Sequence, residues 1–331
     1  MAEERSPVSA PSGGAAPPLW RRLLPWLVAV LFLALALWRV DPGEVARHLG
    51  RVSLPAYAAF VGACLAVNLS LDSLASWRVY RLVAPTLRFR DLLVVRGASY
   101  LPGTINFHVG QAYLTFLLSR RHGAPVVSVA GATLLSYATF FGGVIAVTAV
   151  SLPFSHESAP WITGYVLPLL VAGVVYLAVL RLRPGLLAAR AFLKPLFDAG
   201  PLRHVTLLLW RLPYVVGLVA GLWGAYAFFD VTLPFGPTCV LMPIILLVSA
   251  LPITPQGLGA RELVAIELLA PWAPEDDGQA AIVAAGAAWT VASMIGQVVV
   301  GLAFTPAGTR ALAEPAEPSE PTGPSEEGAG A

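Results

Sequence analysis

The chain has 331 residues, of which 57% are hydrophobic and 12% charged, and its net charge is +2. Soluble domains carry roughly 25% charged residues, so lipid must be the solvent for most of this chain. The small net charge gives no electrostatic footprint for nucleic acid, and what matters about Lys and Arg is where they sit. The two cysteines, Cys64 and Cys239, both lie in apolar runs and read as buried small hydrophobes, which gives a disulfide framework or a zinc site no support.

Residues 1–18, rich in Pro, Gly, Ala and Ser, are expected to be a disordered N-terminal segment. A first apolar run at about 20–40 follows Arg21 and Arg22. Ala34–Ala36 resembles a signal-peptide cleavage site, but the run reaches Trp38 and further spans follow, so an uncleaved helix is expected. Residues 39–53 carry Arg39, Arg47 and Arg51 with Asp41 and Glu44, and read as an interfacial amphipathic helix. Further full spans are expected at about 54–77, 126–150, 161–181, 206–229 and 280–304, about six in all with the first. The cytoplasmic loop at about 182–205 is the longest. Residues 306–331, with Glu314, Glu317, Glu320, Glu326 and Glu327, read as a disordered acidic, Pro-rich tail. The membrane domain is placed at 19–305, with halves of about 20–150 and 161–304.

Two apolar stretches, about 91–118 and 237–270, do not read as simple spans. The first holds Ser99-Tyr100-Leu101-Pro102 and the second Ser249-Ala250-Leu251-Pro252. Proline lacks an N–H and disfavours helix in the residue before it. Gly103 and Gly110 follow in the first stretch, and Pro255, Gly257 and Gly259 in the second. Each stretch is expected to be a helix, a break at Leu-Pro, and a second short helix, together a re-entrant hairpin. The positive residues around the two stretches agree, whereas the loop at 39–53, expected outside, carries Arg39, Arg47 and Arg51 against the rule. Arg78, Arg81, Arg88 and Arg90 precede the first stretch and Arg120 and Arg121 follow it, so both of its ends face the cytoplasm. The loops at 230–236 and 271–279, which flank the second stretch, have no Lys or Arg. Arg21, Arg22 and Arg310 place both termini inside. Each half then reads as two spans, a re-entrant segment and a span, with opposite starting sides. This is an all-α polytopic membrane protein with two re-entrant hairpins in an inverted-topology repeat. Matched interrupted segments point to a midplane substrate site between the repeats, and so to transport.

The candidate site residues cluster at the breaks. Gln256, Gly257, Gly259, Arg261 and Glu262 open the second short helix. A half-helix N-terminus favours an anion such as phosphate, and Arg261 offers fork geometry for it. Alternatively, Arg261 pairs with Glu262 simply to hold the fold. Glu267 is a relay or an interfacial residue. In the first segment Asn106, His108, Gly110 and Gln111 surround the turn, as head-group ligands or as satisfiers of the loop backbone. Arg96 is either a phosphate contact or a snorkelling side chain. Asp72 and Arg211 read as an interface pair with Arg78 and a snorkelling residue, and Asn68 and Gln297 as interhelical hydrogen bonds. No nucleotide loop, HExxH or Cys/His metal spacing is present, so neither enzyme activity, a cofactor nor a metal is expected.

Leu251-Pro252-Ile253-Thr254-Pro255-Gln256-Gly257-Leu258-Gly259-Ala260-Arg261-Glu262 resembles the transmembrane region of the lysylphosphatidylglycerol synthases, the flippase-like integral membrane family. Leu101-Pro102-Gly103 with Gly110, and Arg120-Arg121-His122-Gly123, support the resemblance, which covers nearly all of 20–305. Family members often carry an acidic and a basic residue after the first glycine motif, where this chain has Gln111, Ala112 and Tyr113. In the bifunctional synthases this region moves an aminoacylated lipid and a separate cytosolic domain makes it. Relatives lacking that domain are tied to polar lipids, lipid-linked sugars or hopanoids. With about 27 residues after the last span, the resemblance implies a stand-alone translocator of an anionic or polar lipid head group in a bacterial cytoplasmic membrane. The partner is then the lipid. Rival readings are a subunit that recruits a separate lipid-modifying enzyme, a membrane-embedded transferase on a lipid carrier, and a small-solute transporter.

Overall fold

The structure is a computed structural model that describes residues 31, 34, 40–154, 160–250 and 257–313. The expected span at 20–40 falls almost wholly outside them, as do residues 1–18, 314–331 and Gln256. Among the described residues the chain is helical, with no strand.

A short amphipathic helix, α1 (Pro42–Arg51), comes first, capped by Asp41, whose Oδ1 accepts the Gly43 N–H at 2.7 Å. It turns Val45 and His48 inward, and His48 Nε2 lies 3.0 Å from Asp277 Oδ2. There follow α2 (Leu54–Tyr80), α3 (Phe89–Ile105), α4 (Phe107–His122), α5 (Val126–Ser151), α6 (Thr163–Leu182), α7 (Gly185–Ala188), α8 (Lys194–Ala227), α9 (Phe235–Ala250), α10 (Ala260–Leu269) and α11 (Gly278–Ala313). Five of them, α2, α5, α6, α8 and α11, are long and apolar enough to cross a bilayer. Helix α6 leaves Leu167, Val171, Val174 and Val175 more than half exposed, as a helix facing lipid does.

The two interrupted stretches are the helix pairs α3–α4 and α9–α10. The first break is not at Leu101-Pro102, as the proline suggests, but at Asn106 (φ −160°, ψ 131°). Helix α3 runs through Pro102. Hydroxyls within the helix support the turns around the proline, Ser99 Oγ donating to Arg96 O at 2.7 Å and Thr104 Oγ1 to Leu101 O at 2.6 Å. Asn106 then caps α4, its Oδ1 accepting the His108 N–H at 2.8 Å. The two helices close on one another through glycine. A Cβ on Gly110 would lie 2.8 Å from Ser99 O and 2.9 Å from Gly103 Cα.

Two other boundaries differ from the sequence reading. The loop expected at 182–205 is partly helix, because α8 starts at Lys194 and passes a kink at Gly200 (φ 65°, ψ 168°). Gly200 precedes Pro201, so it leaves the helical region and glycine makes that free of strain. Helix α11 continues to Ala313, beyond the expected end of the membrane domain at 305, and carries Pro306 within it.

Helices α2 and α8 cross antiparallel at the centre. Phe60 meets Gly224, Cys64 meets Gly221, Asn68 meets Gly217, and Asp72 meets Arg211. The glycine spacing Gly217-x-x-x-Gly221 lets the two backbones approach. The apolar interior falls into two cores. One gathers Leu92, Val95, Leu114 and Leu118 of the first hairpin around Val79 and Tyr80 of α2 and Leu207 of α8. The other gathers Leu241, Met242, Ala265 and Ile266 of the second hairpin around Tyr57 and Val61 of α2 and Leu222 and Tyr226 of α8. The hairpins thus sit at opposite ends of the central pair, as oppositely oriented repeats require.

Candidate functional site

Two buried charged centres lie inside this apolar bundle. Charge at membrane depth is costly and marks function by default.

The second hairpin carries a closed centre. Gly257 and Gly259 both have positive φ, 74° and 81°, and turn the chain into α10. Glu262 is wholly buried and Arg261 is 3% exposed. Arg261 Nη2 donates to Glu262 Oε1 at 2.6 Å, to Gly286 O at 2.5 Å and to Thr290 Oγ1. Glu262 Oε2 accepts the Gly259 N–H at 2.6 Å. One carboxylate thus meets one guanidinium, and the carboxylate also occupies an N–H at the mouth of the half-helix, the place the sequence offered to an anion. Glu267 sits further along α10 and lines a surface cavity of about 330 Å³ with Leu263, Val264 and Leu268.

The larger charged centre joins Arg96, a candidate from the sequence, to Asp72 and Arg211, which the sequence reading left as structural residues. Asp72 of α2 is 2% exposed and sits between two arginines. Its Oδ2 accepts from Arg96 Nε of α3 and its Oδ1 from Arg211 Nη1 of α8. Arg211 Nη2 also donates to Ser76 Oγ at 3.2 Å and Ser136 Oγ at 2.6 Å. Arg78, the expected partner of Asp72, instead stacks over Trp210 at 4.1 Å. Arg211 does not snorkel; it is 2% exposed. The signal available in the sequence was only that Asp72 and Arg211 are charged residues within apolar spans. Their pairing joins positions 139 apart, and no local spacing encodes that.

A largely apolar cavity of about 220 Å³ between α4 and α5 is lined by Gln111, Thr115, Thr133, Tyr137 and apolar neighbours. Thr133 Oγ1 lies 2.9 Å from Tyr80 Oη and 3.1 Å from Thr115 Oγ1. Tyr80, Tyr100, Tyr137 and Tyr214 lie within electrostatic reach of Arg96. Of the residues proposed from the first break, Gln111 lines this cavity, Gly110 packs against α3, and Asn106 caps α4. His108 is exposed, its ring 5.8 Å from Phe107 and 6.4 Å from Tyr137.

The two hairpins reach α11 at different levels. Helix α10 reaches α11 at Gly286 and Thr290, whereas α3 reaches it at Gly301, whose Cβ would touch Leu101 N at 2.7 Å. From Thr290 to Gly301 the helix rises about 16 Å.

No curated protein matches the chain. The sequence profile described as the lysylphosphatidylglycerol synthase TM region matches residues 22–301, most of the chain. With five membrane-length helices among the described residues and two helical hairpins, this integral membrane protein therefore belongs to the lysylphosphatidylglycerol synthase TM-region family.

Proposed function

We propose that this protein translocates a lipid with a polar or anionic head group across the bilayer, the head group passing between the two hairpins, each re-entrant from its own side, while the acyl chains stay in lipid. The observation that carries the reading is the charged centre at Asp72, Arg96 and Arg211, which sits inside an apolar bundle and joins both halves. Membership of a family named for a lipid synthase supports a lipid as the cargo. A fixed charged centre between oppositely oriented repeats is the arrangement alternating access uses. The exposed apolar side chains of α4 and α5, among them Phe116, Val127 and Phe141, offer the path for the chains.

The test is albumin back-extraction of short-chain fluorescent phospholipid from vesicles containing the purified protein. Extraction of nearly all the label supports translocation. Extraction that stops at the outer-leaflet fraction, with folded protein present, contradicts it.

A further inference from the structure

One end of the bundle carries charge of a single sign that the buried centres do not use. Arg81 just after α2, Arg88 and Arg90 at the start of α3, and Arg120 near the end of α4 are all exposed. One acid stands among them, Asp91, and Arg121 takes it at 2.8 Å. Arg81 and Arg120 lie over the rings of Trp77 and Phe116, which carry no counter-charge. Among the described residues, the guanidinium groups of Arg88 and Arg90 have no acceptor.

Helix α11 runs towards this cluster. It passes α3 with Gly301 at Leu101, Phe304 at Gly97 and Gly308 at Ala98. Arg90 lies two helical turns before Gly97 and three before Leu101, so it continues the stripe of α3 that faces α11. From Gly308 to Ala313 α11 rises about 8 Å, and from Ala98 back to Arg90 α3 runs about 12 Å. Past Ala313 the chain continues with residues 314–331, which hold Glu314, Glu317, Glu320, Glu326 and Glu327 and no Lys or Arg. Six residues of extended chain span about 20 Å, so the stretch from Glu314 to Glu320 covers the distance to Arg90 and Arg88.

We infer that the acidic segment 314–320 docks on Arg88 and Arg90 and straps the first hairpin to α11. The opposite charges meet where the chain leaves α11. Single exposed ion pairs are weak, but the tether makes this encounter intramolecular, at an effective concentration of about a millimolar. Proline follows each of Glu314, Glu317 and Glu320, and the residue before a proline favours extended backbone, which suits a strap. The docking stands apart from the translocation reading and does not depend on it.

The test is zero-length carbodiimide coupling, which joins a carboxylate to an amine in contact with it, on the purified full chain in phosphatidylcholine vesicles. Lys194 is the chain's one lysine. Arg90→Lys, Arg88→Lys and the control Arg181→Lys, at the end of α6, therefore each add one reporter amine at an exposed position and keep its charge. Peptides joining Glu314, Glu317 or Glu320 to position 90 or 88 should form at about fivefold or more the yield at position 181. Their yield should also fall by about fivefold or more from 0.01 M to 1 M salt, as the Debye length shortens from about 30 Å to about 3 Å. No such peptide from folded Arg90→Lys or Arg88→Lys, an equal yield at position 181, or a yield that salt leaves unchanged overturns the inference. Vesicles that also contain phosphatidylglycerol decide between occupants. Coupling that persists there supports the tail, whereas coupling lost there assigns this basic end to anionic lipid and overturns the docking.

Discussion

Trp77 and Trp223 hold equivalent places in the two halves of the molecule. Each donates its indole N–H to the carbonyl ten residues on, Leu87 at 2.9 Å and Leu233 at 3.1 Å. Each also stands edge-on to a phenylalanine two residues further, Phe89 at 6.3 Å and Phe235 at 6.5 Å between centroids. Tyr80 and Tyr226 are buried at matching positions. The repeat is therefore written in the turns that feed the hairpins as well as in the breaks. In each half the tryptophan fixes the chain's exit from a central helix, and with it the angle at which the hairpin enters.

Replacing either tryptophan by phenylalanine keeps most of the apolar bulk and removes the N–H. Each variant should lose about 1 kcal/mol of stability, the usual worth of such a bond. Trp77→Phe and Trp223→Phe should lower the melting temperature in detergent by similar amounts. A loss at one site and none at the other would break the equivalence.

Gly110 is where the first hairpin closes. A methyl group there meets backbone atoms of Ser99 and Gly103, which cannot swing aside. Gly110→Ala should cost about 1–3 kcal/mol, as overpacking does. Gly50, on α1, has nothing within 4 Å of its would-be Cβ, and Gly50→Ala should be neutral or stabilising by helix propensity. Comparing the two melting temperatures checks the contact.

Glu262 is buried against Arg261 and the Gly259 N–H. Glu262→Gln leaves a guanidinium without its counter-charge and should cost about 3–5 kcal/mol. Adding Arg261→Met to that variant removes the stranded charge and should recover part of the loss. Thermal melts of the single and double variants measure it. A double variant no more stable than the single one would mean the pair carries no charge coupling.

The interrupted segments, the five described spans and the amphipathic α1 were legible because each rests on a local pattern: proline and glycine placement, apolar run length, or charge alternation. The exact break was not, because Leu101-Pro102 looks like a terminus in isolation. In the fold the helix is carried through by packing and by hydroxyls such as Thr104, and Asn106 supplies the cap. The start of α8 fell inside the loop expected at 182–205, because Lys194 and Arg203 there read as exposure whatever the backbone does. The Arg261–Glu262 pair was legible as the structural alternative, because the two are neighbours in sequence. Asp72 and Arg211 were read separately because only the antiparallel crossing of α2 and α8 brings them together.

The proposed translocation carries a lipid head group through the charged interior. The most direct measurement is dithionite quenching of a head-group-labelled phospholipid in vesicles carrying the parent protein or Arg96→Gln. Translocation through this centre gives quenching beyond the outer-leaflet fraction with the parent, and a protected inner-leaflet signal with Arg96→Gln folded to the same extent. A protected signal with the parent, or equal rates for the two proteins, would contradict it.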